Sequence, residues 1–223
     1  PNRLASHAAT DVIAAYNELL DDPTNPLINR AISGDLYHPG SVFKLVVAAA
    51  ALDSGRFTPE STFANPATLQ LPLSTSVITN SGGGTCGPGE TVTLADALRL
   101  SCNIPFAEIG TAIGEDELRD YAKAYGFGND LGIPMPVTPS TIPSSLDAPQ
   151  LMLSSFGQAN VRVTPLQVAM VSAGIANGGV VMKPTLIRAI TAPDLTVIQP
   201  FLPTVFSAPI TRESSATLTQ LMV

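Results

Sequence analysis

Tyr37-His38-Pro39-Gly40-Ser41-Val42-Phe43-Lys44, running on into Leu45-Val46-Val47-Ala48-Ala49-Ala50-Ala51-Leu52, is the stretch on which the reading of this chain turns. Pro39-Gly40 breaks the preceding structure, and a helix is predicted from Ser41 to about Asp53, stopped at Gly55. It is apolar nearly all round, so it is a helix buried on every side, at the centre of a domain. Lys44 is the exception. Lysine is scarce in this chain, with Lys123 and Lys183 the only others. An ammonium in a first helical turn meets the positive end of the helix dipole, and burial raises the cost of its charge. Both effects lower the lysine pKa. Ser41 stands three positions earlier and shares its face, and a neutral lysine beside a hydroxyl is a general base beside a nucleophile. The Ser41 N–H, at the helix start, is suited to an oxyanion. The plainer alternative is that Ser41 caps the helix while Lys44 snorkels to solvent.

Outward from this helix the chain is one domain's worth of sequence. Its 223 residues are 45% hydrophobic and 13% charged, too apolar for disorder and too weakly charged for a coiled coil. Eighteen acids against 11 bases give a net charge of −7, and the bases form no cluster, which argues against a nucleic-acid partner. Twenty prolines and 17 glycines punctuate the whole length, so short elements joined by ordered loops are expected. Helices are predicted at Asp11–Leu20, Ile104–Ile113, Asp116–Tyr125 and Pro149–Phe156. Thr93 with Asp96 reads as a helix start. Thr164-Pro165-Leu166-Gln167 reads as another, running to about Ala176. Thr75–Thr79 is extended, and Thr185–Ile190 and Thr196–Leu202 form a hairpin turning at Pro193-Asp194. Thr211 caps a last helix that runs to Val223, and a chain that stops inside a helix suggests a polypeptide that continues. The longest apolar run, Leu45–Leu52, is far short of the ~20 residues of a membrane span.

Cys86 and Cys102 are either two buried thiols of a cytosolic protein or a disulfide of an exported one. With only His7 and His38 beside them, nothing has metal-ligand spacing, and neither metal nor cofactor is expected.

Ser101-Cys102-Asn103 lies in a turn between two predicted helices, sixty residues beyond Ser41. Alone it says little, but the ordered pair Ser-x-x-Lys then Ser-x-Asn resembles the penicillin-binding transpeptidases. Further segments resemble class B penicillin-binding proteins in the same order. They are Asn29-Arg30-Ala31, Tyr37 to Lys44, Phe156-Gly157-Gln158, Val163 to Ala169 and Ile175 to Gly179. The cysteine pair and Asn2-Arg3-Leu4-Ala5-Ser6-His7 are similar to the actinobacterial penicillin-binding protein A group.

The resemblance implies an α/β fold shared with serine β-lactamases. It would have an antiparallel sheet flanked by helices and an all-helical lobe, with the Ser41 helix between. Ser41 would attack the penultimate D-Ala carbonyl of a peptidoglycan stem peptide, with Lys44 taking its proton. Ser101 would relay a proton to the leaving group, and Asn103 would bind the substrate backbone. A β-lactam would leave Ser41 acylated. The implied compartment is the extracytoplasmic face of the plasma membrane, with a single-span anchor outside this chain. The implied partners are a membrane glycan polymerase and the division or elongation machinery. In that compartment a Cys86–Cys102 disulfide would persist and tether the Ser81–Glu90 loop beside Ser101 and Asn103.

The family's third motif, Lys-(Thr/Ser)-Gly on a strand, has no counterpart here. Lys183-Pro184-Thr185 does not replace it, because proline removes a backbone donor and no glycine follows. The expectation is a transpeptidase domain over residues 1–223 that is incomplete on its C-terminal side. His38 stands where proline is commoner in the family, and reads as an exposed loop residue. Asp116, Glu117, Arg119, Asp120 and Lys123 read as a solvated helix face; Gln158 and Thr164 read as packing and capping residues. Two alternatives remain on the same fold: a serine β-lactamase, and a non-catalytic β-lactam sensor domain.

Overall fold

The computed structural model describes residues 2–223. A 3-10 turn at Asn2–Ala5 leads into α1 (Ala9–Leu20). Ala15 is its one buried residue, and Ile13, Tyr16 and Leu20 are left exposed among the described residues. The Ser41 segment is not α-helical from its start, as the sequence suggested. Gly40–Phe43 is a 3-10 turn, and α2 begins at Lys44 and ends at Asp53. The tighter turn is consequential, since side chains three apart eclipse in a 3-10 helix. No side chain caps this start, so Ser41 is not the cap. As expected of its composition, α2 is enclosed, with Val47 through Ala51 having no exposed surface.

Four short strands follow, β1 (Thr62–Ala64), β2 (Thr68–Gln70), β3 (Val77–Thr79) and β4 (Thr91–Thr93). Then come α3 (Leu94–Arg99), α4 (Asn103–Ile113) and α5 (Glu115–Ala124). A proline-rich loop leads to α6 (Ala148–Ser154) and α7 (Pro165–Ala176). The chain closes with β5 (Val181–Met182), β6 (Ala189–Thr191), β7 (Val197–Pro200), β8 (Val205–Ser207) and α8 (Arg212–Leu221). Among the described residues every strand pairing is antiparallel, in four two-stranded units: β1–β4, β2–β3, β5–β8 and β6–β7. The mixed α/β class and the antiparallel pairing are as the sequence implied, while the neighbours of α2 are the helices α4, α5, α7 and α8.

Local chemistry explains most boundaries. Thr93, Thr164 and Thr211 each accept the backbone N–H of the third residue beyond, as N-caps do. Asp147 and Gln150 close a reciprocal capping box at α6. Gln167 does not close one with Thr164; its buried amide reaches away and donates 2.8 Å to the Tyr125 carbonyl. The hairpin exists with Ile190 opposite Gln199 and the Arg188 carbonyl accepting the Phe201 N–H, but Thr185–Ile187 lies outside it. There Thr185 Oγ1 accepts the Ile187 N–H and bends the chain. The last helix stops at Leu221 rather than reaching Val223. Asp53 joins the end of α2 to two partners, accepting from Tyr121 Oη at 3.0 Å and from the Thr211 N–H at 2.7 Å.

The α5 face is less solvated than its charges suggested. Arg119 keeps 13% of its side chain exposed and pairs with Glu115 and Asp116, and Glu117 pairs with Arg56. Asp120 and Lys123 are exposed.

Candidate active site

The 3-10 turn sets Ser41 directly above Lys44. Ser41 is open to solvent, whereas Lys44 is 1% exposed. Four oxygens surround Lys44 Nζ: the Ser101 carbonyl at 2.6 Å, Asn103 Oδ1 at 2.8 Å, Ser101 Oγ at 3.1 Å and Ser41 Oγ at 3.2 Å. The sequence placed Ser41, Lys44, Ser101 and Asn103 in one site, and the structure brings all four together. The snorkelling alternative for Lys44 is excluded by its burial.

The identity of these oxygens fixes the chemistry. Asn103 Nδ2 donates to the Thr79 carbonyl at 2.9 Å, so its Oδ1 is the atom turned to Lys44. Two of the four neighbours are therefore pure acceptors, and two are hydroxyls that accept or donate. A neutral amine has two N–H donors and one lone pair. Its donors suit the Ser101 carbonyl and Asn103 Oδ1, which leaves the lone pair facing the two hydroxyls. Burial pushes the Lys44 pKa down to about 8. The Phe106 ring lies 5.7 Å from Nζ and itself has no exposed surface, so it shuts water out from below. A cation over an aromatic face is favoured, yet no carboxylate offsets the loss of hydration, and desolvation prevails.

Ser101 has φ of 57°, the left-handed region, at the junction of α3 and α4. Such a backbone is uncommon for a residue with a side chain, and gathers at sites where geometry is imposed. Here it turns both the carbonyl and the hydroxyl of one residue onto Lys44.

Cys86 and Cys102 are bonded, with Cα atoms 5.7 Å apart. Cys102 is the N-cap residue of α4, and its sulfur in that bond does not cap the helix. Asn80 does so instead, a role without local signature in a residue that precedes a Gly-rich turn. Its Oδ1 accepts the N–H of Asn103 at 2.9 Å and of Ile104 at 3.2 Å, and its Nδ2 donates to Gly84. Asn65 secures the same loop, accepting the Cys86 N–H and donating to the Cys86 and Gly89 carbonyls. His38 is exposed, as expected, with Nδ1 2.9 Å from Arg162 Nη1. Lys183 sits where its N–H bonds the Thr204 carbonyl, beside β5.

Two consequences are measurable. Asn80→Ala strips the cap from α4 and is expected to lower stability by about 1–2 kcal/mol. It should also slow acylation, because Asn103 is the first residue of that helix; melting and labelling at equal folded fraction check both. Replacing both cysteines by serine frees a loop closed by a bond of sequence separation 16, at a cost of roughly 3 kcal/mol. A melting temperature the same in both proteins would refute it.

Among the described residues no helix is long and apolar enough to cross a membrane. The penicillin binding protein transpeptidase domain matches residues 4–223. Peptidoglycan D,D-transpeptidase PbpA of Mycolicibacterium smegmatis is 42% identical over 224 residues, covering 100% of this chain and 45% of the relative. PbpA of Mycobacterium tuberculosis is 40% identical with the same coverage. The penicillin G acyl-enzyme complex of M. tuberculosis penicillin-binding protein A superposes with a TM-score of 0.93 at 39% identity, covering 100% of this chain and 51% of that one. The D,D-transpeptidase domain of a peptidoglycan glycosyltransferase from Eggerthella lenta gives 0.82 at 27%, covering 96% and 53%. The chain thus spans about half the length of these relatives. From the Ser41–Lys44 turn to the capped start of α4, and along nearly its whole length, the chain belongs to the penicillin-binding protein transpeptidase family.

Proposed function

We propose that this chain carries the acyl-transfer machinery of a peptidoglycan D,D-transpeptidase, with Ser41 as nucleophile. The observation that carries the reading is Lys44 Nζ, buried and reached by Ser41 Oγ on one side and Ser101 Oγ on the other. Neutral Lys44 takes the Ser41 hydroxyl proton as Oγ attacks the carbonyl carbon of the penultimate D-Ala. The new ammonium has three donors, two on the Ser101 carbonyl and Asn103 Oδ1 and the third on Ser101 Oγ. The carbon–nitrogen bond to the terminal D-Ala breaks. Its nitrogen takes the Ser101 hydroxyl proton, which Lys44 replaces, and D-Ala leaves. Lys44 is neutral again, and the amine of a neighbouring stem attacks the ester, its proton returning by the same path to Ser41. Asn103, held by Thr79 and Asn80, is the residue beside which this reading lays the stem backbone.

A β-lactam enters by the same attack, but its ring nitrogen stays attached and holds Ser41 as the ester. The relatives' names support work on peptidoglycan; the extracytoplasmic face of the plasma membrane is the place, and a glycan polymerase and the division or elongation machinery the partners, that this role calls for.

The test is a labelled penicillin, tryptic mass spectrometry and the lifetime of the adduct in the full-length protein. An adduct on Ser41 lasting hours, with D-Ala released from a stem-peptide substrate, is expected. An adduct on any other residue would remove this reading, hydrolysis within seconds would indicate a β-lactamase, and a lasting adduct without D-Ala release would indicate a sensor.

A further inference from the structure

We infer that Gly157 is a positioning residue for the Ser41 nucleophile: its bare backbone is the stop against which the Ser41 turn is seated. The inference rests on the function proposed above. Gly157 has φ of 80°, and a Cβ built there would lie 1.9 Å from the Gly40 carbonyl oxygen, 2.6 Å from its carbon and 2.7 Å from its nitrogen. All three atoms belong to the main chain, which has no rotamer to move away. The two backbones are also bonded, Gly40 N–H donating to the Gly157 carbonyl at 3.0 Å. Further out, Tyr37 and Val163 exchange both N–H···O bonds, at 2.9 and 2.8 Å. The residues leading to Ser41 are therefore held at two points by one segment, and at Gly157 the fit leaves no room for a methyl.

That stop is itself referenced to the other half of the site. Gly157 follows α6 directly, its N–H bonding the Ser154 carbonyl at 2.9 Å. α6 lies against α4 at Gly110, where a Cβ would be 1.7 Å from Ser155 Oγ and 2.5 Å from Ser155 Cβ. Asn103 begins α4, so α4 sets the acceptor side of Lys44 directly, and the nucleophile side through α6, Gly157 and Gly40. Close approach at these two glycines, to main chain at Gly157 and to the Ser155 side chain at Gly110, fixes the gap in which Lys44 Nζ works.

The experiment is stopped-flow acylation of the full-length protein by benzylpenicillin, resolving the non-covalent dissociation constant from the acylation rate constant. Gly157→Ala pushes Gly40 aside and misplaces Ser41 by something on the order of 1 Å, a displacement that costs about 100-fold in rate. The fall should lie in the rate constant, with the dissociation constant and the pH midpoint of acylation unchanged, since Lys44 keeps its burial. Gly179→Ala is the comparison. There too φ is left-handed, at 87°, and a Cβ would be 2.3 Å from a backbone oxygen, that of Ile210, which belongs to no part of the site. It should lose stability yet acylate at the parent rate per folded molecule. Should Gly157→Ala not fold, Gly110→Ala carries the test: a roughly tenfold slower rate constant, restored in the double variant with Ser155→Gly. A folded Gly157→Ala or Gly110→Ala that acylates like the parent overturns the inference and leaves the proposed function standing. So does an equal loss in Gly179→Ala. No adduct in the unaltered protein overturns both.

Discussion

Full-length protein carrying Ser41→Ala is expected to take up no labelled penicillin, because no other hydroxyl combines solvent access with contact to Lys44 Nζ. Ser101 Oγ is as close to the amine, but its backbone is held in the left-handed turn that feeds Lys44, and the residue is partly buried. Lys44→Arg should lower the acylation rate by about 10³-fold, within the range for removal of a general base. A guanidinium stays protonated at any working pH and has no lone pair to offer Ser41. It must also fit a space that encloses an amine on all sides. Ser101→Ala should cost less, about tenfold to a hundredfold, because water admitted to the gap can carry a proton but cannot replace a nucleophile. Gel fluorescence at fixed folded protein orders the three variants. Full labelling of Lys44→Arg would mean that the base lies elsewhere.

The second large effect is on pH. A Lys44 pKa near 8 means that the reactive amine form is the minor one at neutrality and below. The acylation rate constant should therefore rise along a limb with its midpoint at about pH 8. Two units below that midpoint it should have fallen about 100-fold. The same shift acts on stability with a definite sign. The folded-state value lies below the 10.5 of an unhindered lysine. Between about pH 8 and 10.5 the unfolded chain thus binds more protons than the folded one, and stability contributed by this group rises with pH across that window. Below pH 8 the burial cost of the ammonium is present in full, about 3 kcal/mol for a shift of this size. Denaturant titrations at pH 7 and pH 10 on the parent and on Lys44→Met isolate the term; equal pH dependence in the two would place the protonation change on other residues.

How far the sequence carried this reading differs from one element to the next. Lys44 was conspicuous because lysine is rare here and its helix is otherwise apolar, and the threonine caps at 93, 164 and 211 announced their helices by local chemistry alone. What joins Ser41 to Ser101 was legible only through family resemblance, since sixty residues of intervening chain leave no periodic trace of a contact. The 3-10 start of α2 is not legible because Gly-Ser-Val-Phe suits either helix, and the Gly157 backbone that meets Gly40 there lies more than a hundred residues away in sequence. Asn80 draws no attention in the sequence because a cap supplied by a distant segment has no local signature. Gln167 shows the opposite case: its spacing from Thr164 is that of a capping box, yet its amide goes to the buried Tyr125 carbonyl.

The borrowed cap on α4 has a bearing on when the site comes into being. A helix whose first N–H groups are satisfied from 23 residues upstream in sequence does not close its first turn by itself. It waits for β2 and β3 to pair and bring Asn80 into reach. The opening of that small hairpin and the fraying of the Asn103 end of α4 should then be one event, with one free energy. In native-state hydrogen exchange, the amides of Ile78, Asn103 and Ile104 are expected to move together as denaturant is raised, as members of a single cooperative unit. The interior turns of α4, fastened to α6 at Gly110, belong to a slower one. The start of α4 beside Lys44 would in that case be the part of the molecule that assembles last and loosens first.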